Sequence, residues 1–137
     1  MQAASLVALV IENNPDLVEK GKAILGSAGI RDIDVIRSRI GAIGYLRQRR
    51  YDIIIANEMA DTLLQEVEYI LDSGGSSFFQ DALRKELQAN NNTLIGLYTT
   101  ESYKSVWRRL TPFVFPRERF YGGDALQQVL NERFGIG

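Results

Sequence analysis

The residues best placed to do chemistry in this chain are few, and amides are as many as acids among them. Glu12-Asn13, Asn57-Glu58, Thr99-Thr100 and Phe115-Pro116 each follow a short apolar run. Carboxylates at such places suit general acid–base work or a hard cation, and amides and hydroxyls suit hydrogen bonding to a small ligand. The chain has no His and no Cys. Their absence removes the commonest general base and transition-metal ligand, thiolate metal sites, Cys nucleophiles, disulfides, and any Ser–His or Cys–His hydrolase. No GxGxxG or GxxxxGK(S/T) follows the first apolar run, and Gly41-Ala42-Ile43-Gly44 lacks a Lys. Neither a dinucleotide site nor a P-loop is expected.

The apolar runs that precede these residues read as strands. Residues 6–11 (LVALVI) form a β-branched run of strand length, closed by the turn formers Glu12-Asn13-Asn14-Pro15. Asn14 or Pro15 then opens a helix to about residue 28, ended by Gly29. A second strand is expected at 33–36, a helix at 41–49, and a third strand at 51–56, where three consecutive Ile suit a strand covered on both faces. Helical pattern over 61–71 and 78–88, broken by the SGGSS of 73–77, adds one helix more than a simple crossover needs. A fourth strand follows at 93–98, a helix at 102–110, a fifth strand at 113–115, and a last helix at 125–133 with Asp124 as its N-cap. Strands alternating with helices in this way predict a three-layer α/β sandwich around a parallel five-stranded sheet. In such sheets ligands gather at the carboxyl ends of the strands, which is where the four candidate clusters fall.

Composition sets the outer limits. With 137 residues, 45% of them apolar and 24% charged, the chain suits one globular domain over residues 1–137. Sixteen Lys and Arg against seventeen Asp and Glu leave a net charge of −1, with no global reason to bind nucleic acid or an acidic membrane. The first apolar run has no basic stretch before it and stops at Glu12, so it reads as a strand and not as a signal peptide. No run approaches the roughly 20 apolar residues that span a bilayer. A cytoplasmic protein is expected.

The ordered clusters resemble the receiver domain of two-component response regulators, the chemotaxis-type flavodoxin-like fold. That family ends its first strand in two acidic residues shortly before a Pro, where this chain has Glu12-Asn13-Asn14-Pro15. Its third strand begins with Asp and reaches the phosphoacceptor Asp five residues on, and here the stretch runs from Asp52 to Asn57. The family's switch Thr or Ser after strand four matches Thr99 or Thr100, and its Lys-Pro after strand five falls on Phe115-Pro116. The resemblance covers nearly the whole chain and implies the strand order 2-1-3-4-5.

The departures from the family bear directly on chemistry. An Asn at 57 has no nucleophilic oxygen anion with which to form an acyl phosphate. With Asn at 13 and 57, Glu12 alone remains of the family's acidic triad, too little charge for magnesium. Aligned on the proline, Phe115 takes the Lys position; aligned on the strand aromatic, Pro116 does, and neither supplies a cation. The reading is therefore a pseudo-receiver with a vestigial pocket at Glu12, Asn13, Asn57, Thr99 and Phe115. No catalytic residue, metal or cofactor is expected, and the module would act through protein contact in two-component-type signalling or transcriptional regulation. The alternative is a flavodoxin-like ligand-binding domain or enzyme in the strand-end cleft, with Glu12, Glu58, Asp61 and Glu101 as its acids.

The candidate contact surface lies towards the C-terminus. Tyr103, Trp107, Phe113, Phe115, Phe120 and Tyr121 concentrate aromatics there, beside Arg108 and Arg109, and aromatic and Arg residues dominate interface hot spots. The resemblance implies that the face of helix 4, strand 5 and helix 5 docks a protein partner or a second copy. Tyr103, Trp107, Arg108, Phe120 and Tyr121 are its candidate residues, against the competing reading that half or more of the rings are core. Arg47, Arg49 and Arg50 cluster at the end of the second helix, where its dipole favours cations. The added helix either pads the surface or is a docking element, with Phe78-Phe79 as its apolar anchor.

Overall fold

A computed structural model of the chain describes residues 3–57, 92–108 and 110–136, together with Lys85 and Ala89. After a 3₁₀ turn at Ala3–Ser5, the apolar run becomes β1 (Val7–Ile11), whose last four residues are all buried. Asn14 ends it and caps α1 (Pro15–Ser27): its side-chain oxygen accepts from the backbone N–H of Asp16 at 3.0 Å. The other end of α1 closes on Gly29, whose φ of 93° only Gly adopts freely. There the Gly29 N–H donates to the Gly26 carbonyl and the Ile30 N–H to the Leu25 carbonyl, both at 3.0 Å, a Schellman motif. Leu25 and Ile30 meet in the core beneath it.

β2 (Asp32–Ile36) and α2 (Arg39–Gln48) follow, the helix capped by the Ser38 hydroxyl accepting from the Gly41 N–H at 2.9 Å. β3 (Ile53–Asn57) is buried at every residue, as its isoleucines require, and so is β4 (Thr93–Tyr98). Burying each such side chain contributes roughly 2 kcal/mol. α3 (Glu101–Arg108), β5 (Phe113–Pro116), α4 (Arg117–Gly122) and α5 (Ala125–Phe134) complete the described chain. Thr111 pins β5 to its neighbour, since its buried hydroxyl donates to the Leu94 carbonyl and accepts from the Phe113 N–H at 3.1 Å.

All strand pairs are parallel, in the order β2-β1-β3-β4-β5 that the receiver resemblance implied. Strand alternation splits the core between the two faces of the sheet. Ala8, Val10, Ile53, Ile55, Ile95 and Leu97 face one way, under α1, α4 and α5. Leu9, Ile11, Ile54, Ala56, Leu94 and Tyr98 face the other, under α2 and α3.

Three expectations need correction and one lies elsewhere. The third strand begins at Ile53, not at Tyr51, because Tyr51 turns its hydroxyl to Asp34 at 2.7 Å and the Asp52 carboxylate accepts from the Val7 N–H at 2.8 Å. Between the fifth strand and the last helix, where no element is expected, lies helix α4, entered through Pro116 in an extended conformation and followed by Gly123. Asp124 holds the N-cap position of α5 but makes no capping bond, and its carboxylate accepts from the Gln128 side chain at 3.2 Å instead. The added helix between strands three and four, with Phe78-Phe79, lies outside the described residues, as do Glu58, Asp61 and Arg109.

Candidate functional site

The parallel register builds the site. Ile11 pairs with Ala56, so Glu12, the next residue along β1, comes level with Asn57 at the end of β3. Both sit at 0% exposure. They share the sheet face of Val10 and Ile55, which is covered by α1, α4 and α5. The Asn57 side-chain amide donates to Glu12 Oε2, while Glu12 Oε1 accepts from the Asn14 N–H at 3.2 Å. The Glu12 N–H in turn donates to the Ile36 carbonyl at 3.1 Å, tying the end of β1 to β2. Both carboxylate oxygens are thus engaged, which is how a buried charge is tolerated.

The other candidate pocket residues take different positions. Asn13 is exposed in the bend after β1, and Thr99 is exposed in the bend after β4. Thr100 opens α3: its hydroxyl accepts from the Tyr103 N–H at 3.4 Å and its carbonyl from the Lys104 N–H at 3.1 Å. Phe115 is in register with Leu97, itself paired with Asn57, but turns its ring to Phe120 at 5.9 Å between centroids. The position where the family carries Lys-Pro is therefore filled by packing on the core.

Sequence reasoning placed Tyr121 on a contact surface, and the structure gives it another place. It packs edge-on against Phe120 at 5.2 Å, and its hydroxyl is buried without a hydrogen-bond partner among the described residues. Burial pushes the Tyr121 phenol pKa up, the Glu12 charge adds to the rise, and Arg117 opposes it. The Tyr121 phenol thus feels the opposed charges of Glu12 and Arg117. The sequence marked Tyr121 only as a contact-surface candidate, because its place on the core side depends on α4 being a helix. Phe120 at 0% and Trp107 at 3% exposure are core residues and offer no surface to a partner. Tyr103 is half-buried and Arg108 exposed.

Magnesium, which the receiver resemblance implies, is poorly served by this set. A hard dication wants several charged oxygen ligands. Among the described residues the pocket supplies one carboxylate, both of its oxygens already accepting N–H bonds. Among the described residues no three acidic side chains gather to hold a metal.

The Arg cluster of the second helix is structural at Arg49. Its guanidinium bonds Asp32 and, at 2.8 Å, Asp34, and lies 5.8 Å from the Tyr51 ring centroid. These hydrogen bonds raise the Arg49 pKa and tie the end of α2 to the edge strand β2.

No helix of the described residues is long and apolar enough to cross a membrane. No protein-family model matches the sequence, and comparison with curated proteins gives no significant relative. Solved structures do match. A response regulator from Hahella chejuensis superposes with a TM-score of 0.67 at 18% identity, over 95% of this chain and 96% of its own. A receiver domain from Methylobacillus flagellatus gives 0.65 at 16% identity, over 93% and 98%. The receiver domain of the sensor histidine kinase PA1611 from Pseudomonas aeruginosa, solved with magnesium coordinated in its active-site cleft, gives 0.63 at 20% identity over 95% and 98%. The chain has the receiver fold, with Glu12 and Asn57 in contact at the carboxyl ends of its central strands.

Proposed function

We propose that this chain is a receiver-like signalling module that works by protein contact, without phosphoryl transfer at position 57. The observation that carries the reading is the buried bond from the Asn57 amide to Glu12. In the resemblance, position 57 is that of the phosphoacceptor, and an amide there has no oxygen anion to attack a phosphoryl donor. Among the described residues the site offers magnesium a single carboxylate, already accepting two N–H bonds, and the family's Lys position falls on Phe115 or Pro116. With no phosphoryl group to neutralise, a buried Lys at that place would carry an unpaired charge. Any switching would then follow from a partner that favours one of two states. The contact surface is the face of α3, β5 and α5, with Tyr103 and Arg108 at its surface.

Incubation with acetyl phosphate, or with beryllofluoride, in the presence of magnesium tests the reading. Trp107 is the chain's one tryptophan and reports on the α3 side of the sheet. The expected result is an unchanged intact mass and unchanged Trp107 emission. A phosphoryl adduct, or a magnesium-dependent shift in emission, overturns the proposal.

A further inference from the structure

A groove of about 390 Å³ opens at the free edge of the sheet, between α3, β5, α4 and the start of α5. That volume falls in the range of roughly 300–1,000 Å³ typical of small-molecule sites. Its floor is apolar, formed by Tyr98, Val114 and Pro116. Every residue of β5 is only half-buried, so the floor is reached from solvent. The walls carry Lys104 and Arg108 from α3 and Arg119 from α4, against the single carboxylate of Asp124. The groove therefore holds an excess of two positive charges on a chain whose net charge is −1. Lys104 and Arg108 stand one helical turn apart, a spacing at which like charges repel. Glu101 offsets Lys104 only weakly, at 3.9 Å and in solvent. Arg108 and Arg119 are exposed, and among the described residues they make no ion pair.

We infer that this groove binds a small phosphate monoester carrying a flat aromatic group, the chemistry of a nucleoside monophosphate. Charge and shape select that class together. A phosphate monoester carries close to two negative charges at pH 7 and three strong acceptor oxygens, which matches the excess on the walls. The Arg108 and Arg119 guanidinium forks suit bidentate pairing with phosphate oxygens, and Lys104 adds a compact third cation. The aromatic group would rest on Val114 and Pro116. A sugar phosphate would instead leave its hydroxyls against that apolar floor. A second copy docked face to face would set cations against cations, since a two-fold interface is isologous. Nucleic acid finds no global attraction in a chain of net charge −1. The inference goes beyond the protein-contact reading and does not depend on it.

Isothermal titration calorimetry with AMP, cyclic AMP, adenosine and inorganic phosphate tests the inference. AMP is expected to bind, and cyclic AMP, with one negative charge, to bind about fivefold more weakly or less well still. Adenosine lacks the charge and inorganic phosphate lacks the ring, so each should bind more weakly than AMP. The double variant R108Q/R119Q should weaken AMP by about tenfold or more. Asp124→Asn removes the opposing charge and keeps an acceptor for Gln128. It should tighten AMP by about two- to threefold, a gain that damaged folding does not produce. No binding of AMP, equal affinity for AMP and adenosine or for AMP and inorganic phosphate, or an AMP affinity unmoved by R108Q/R119Q overturns the inference. So does AMP binding weakened by Asp124→Asn. Tighter binding of a short acidic peptide or of single-stranded DNA also overturns it, by assigning the cations to a macromolecule. The two readings fail separately. A phosphoryl adduct at position 57 with AMP binding intact defeats only the phosphate-independent reading, and lost AMP selectivity without an adduct defeats only the groove.

Discussion

At the scale of single residues, the Glu12–Asn57 contact determines what the strand ends can do. Replacing the amide by a carboxylate, Asn57→Asp, would bring two negative charges together at complete burial. The variant is expected to lose about 3 kcal/mol at pH 7 in urea unfolding. The charge pair raises the folded-state pKa of the new acid, so its deficit should be full above about pH 6 and close as the pH falls below about 4. A deficit that persists unchanged at acid pH would show that the loss is steric. Two tyrosines make a second contrast. Tyr51 donates to Asp34, and Tyr51→Phe should cost about 1.5 kcal/mol. The Tyr121 hydroxyl is buried with no partner among the described residues, so Tyr121→Phe should be neutral or stabilising by about 1 kcal/mol in the same measurement.

At the scale of elements, β4 and α3 meet through a missing side chain. A Cβ on Gly96 would come within 2.8 Å of Trp107 Cγ and 2.9 Å of its Cβ, so glycine is what lets the indole lie on the sheet. Gly96→Ala should therefore displace α3, lower stability by about 2 kcal/mol, and shift Trp107 emission to the red as the ring meets water. Unchanged emission would mean that the helix gives way without moving its tryptophan. The same reasoning explains why the aromatic-rich C-terminal region was only partly legible. Alternation put Phe113 and Phe115 on one face and Val114 on the other, and the two core clusters keep that division. The sequence carried no comparable periodic mark over 117–122, because a helix of six residues is too short to show a face. With α4 unseen, Phe120 and Tyr121 could not be assigned to the core side of the sheet.

At the scale of the whole molecule, the lack of His leaves no side chain with an ordinary pKa between pH 5 and 8. Stability is expected to be flat across that range and to decline above about pH 10. Tyr51 and Tyr121 both have pKa values raised by burial, Tyr51 further by its bond to Asp34 and Tyr121 by the Glu12 charge. Above pH 10 the unfolded chain releases these protons while the folded chain keeps them. The unfolded state then binds fewer protons, and stability falls as pH rises. Melting temperatures from pH 6 to 11 for the native chain and for the double variant Y51F/Y121F check this. The double variant should show a shallower alkaline decline, and an equal decline in both would place the titration elsewhere.

The sequence by itself determined the class of the fold, since apolar runs of strand length separated by helical stretches admit few parallel arrangements, and the absence of His and Cys removed whole families of chemistry. It also named Glu12 and Asn57, because both sit where apolar runs stop. Their contact was decided only by the register between β1 and β3, a pairing of residues 45 apart in sequence. The same holds for the influence of the Glu12 charge on Tyr121 and for the cationic groove, which draws its walls from three separate helices. Local pattern records which way a side chain faces on its own element, whereas distance between elements is set by how the core packs.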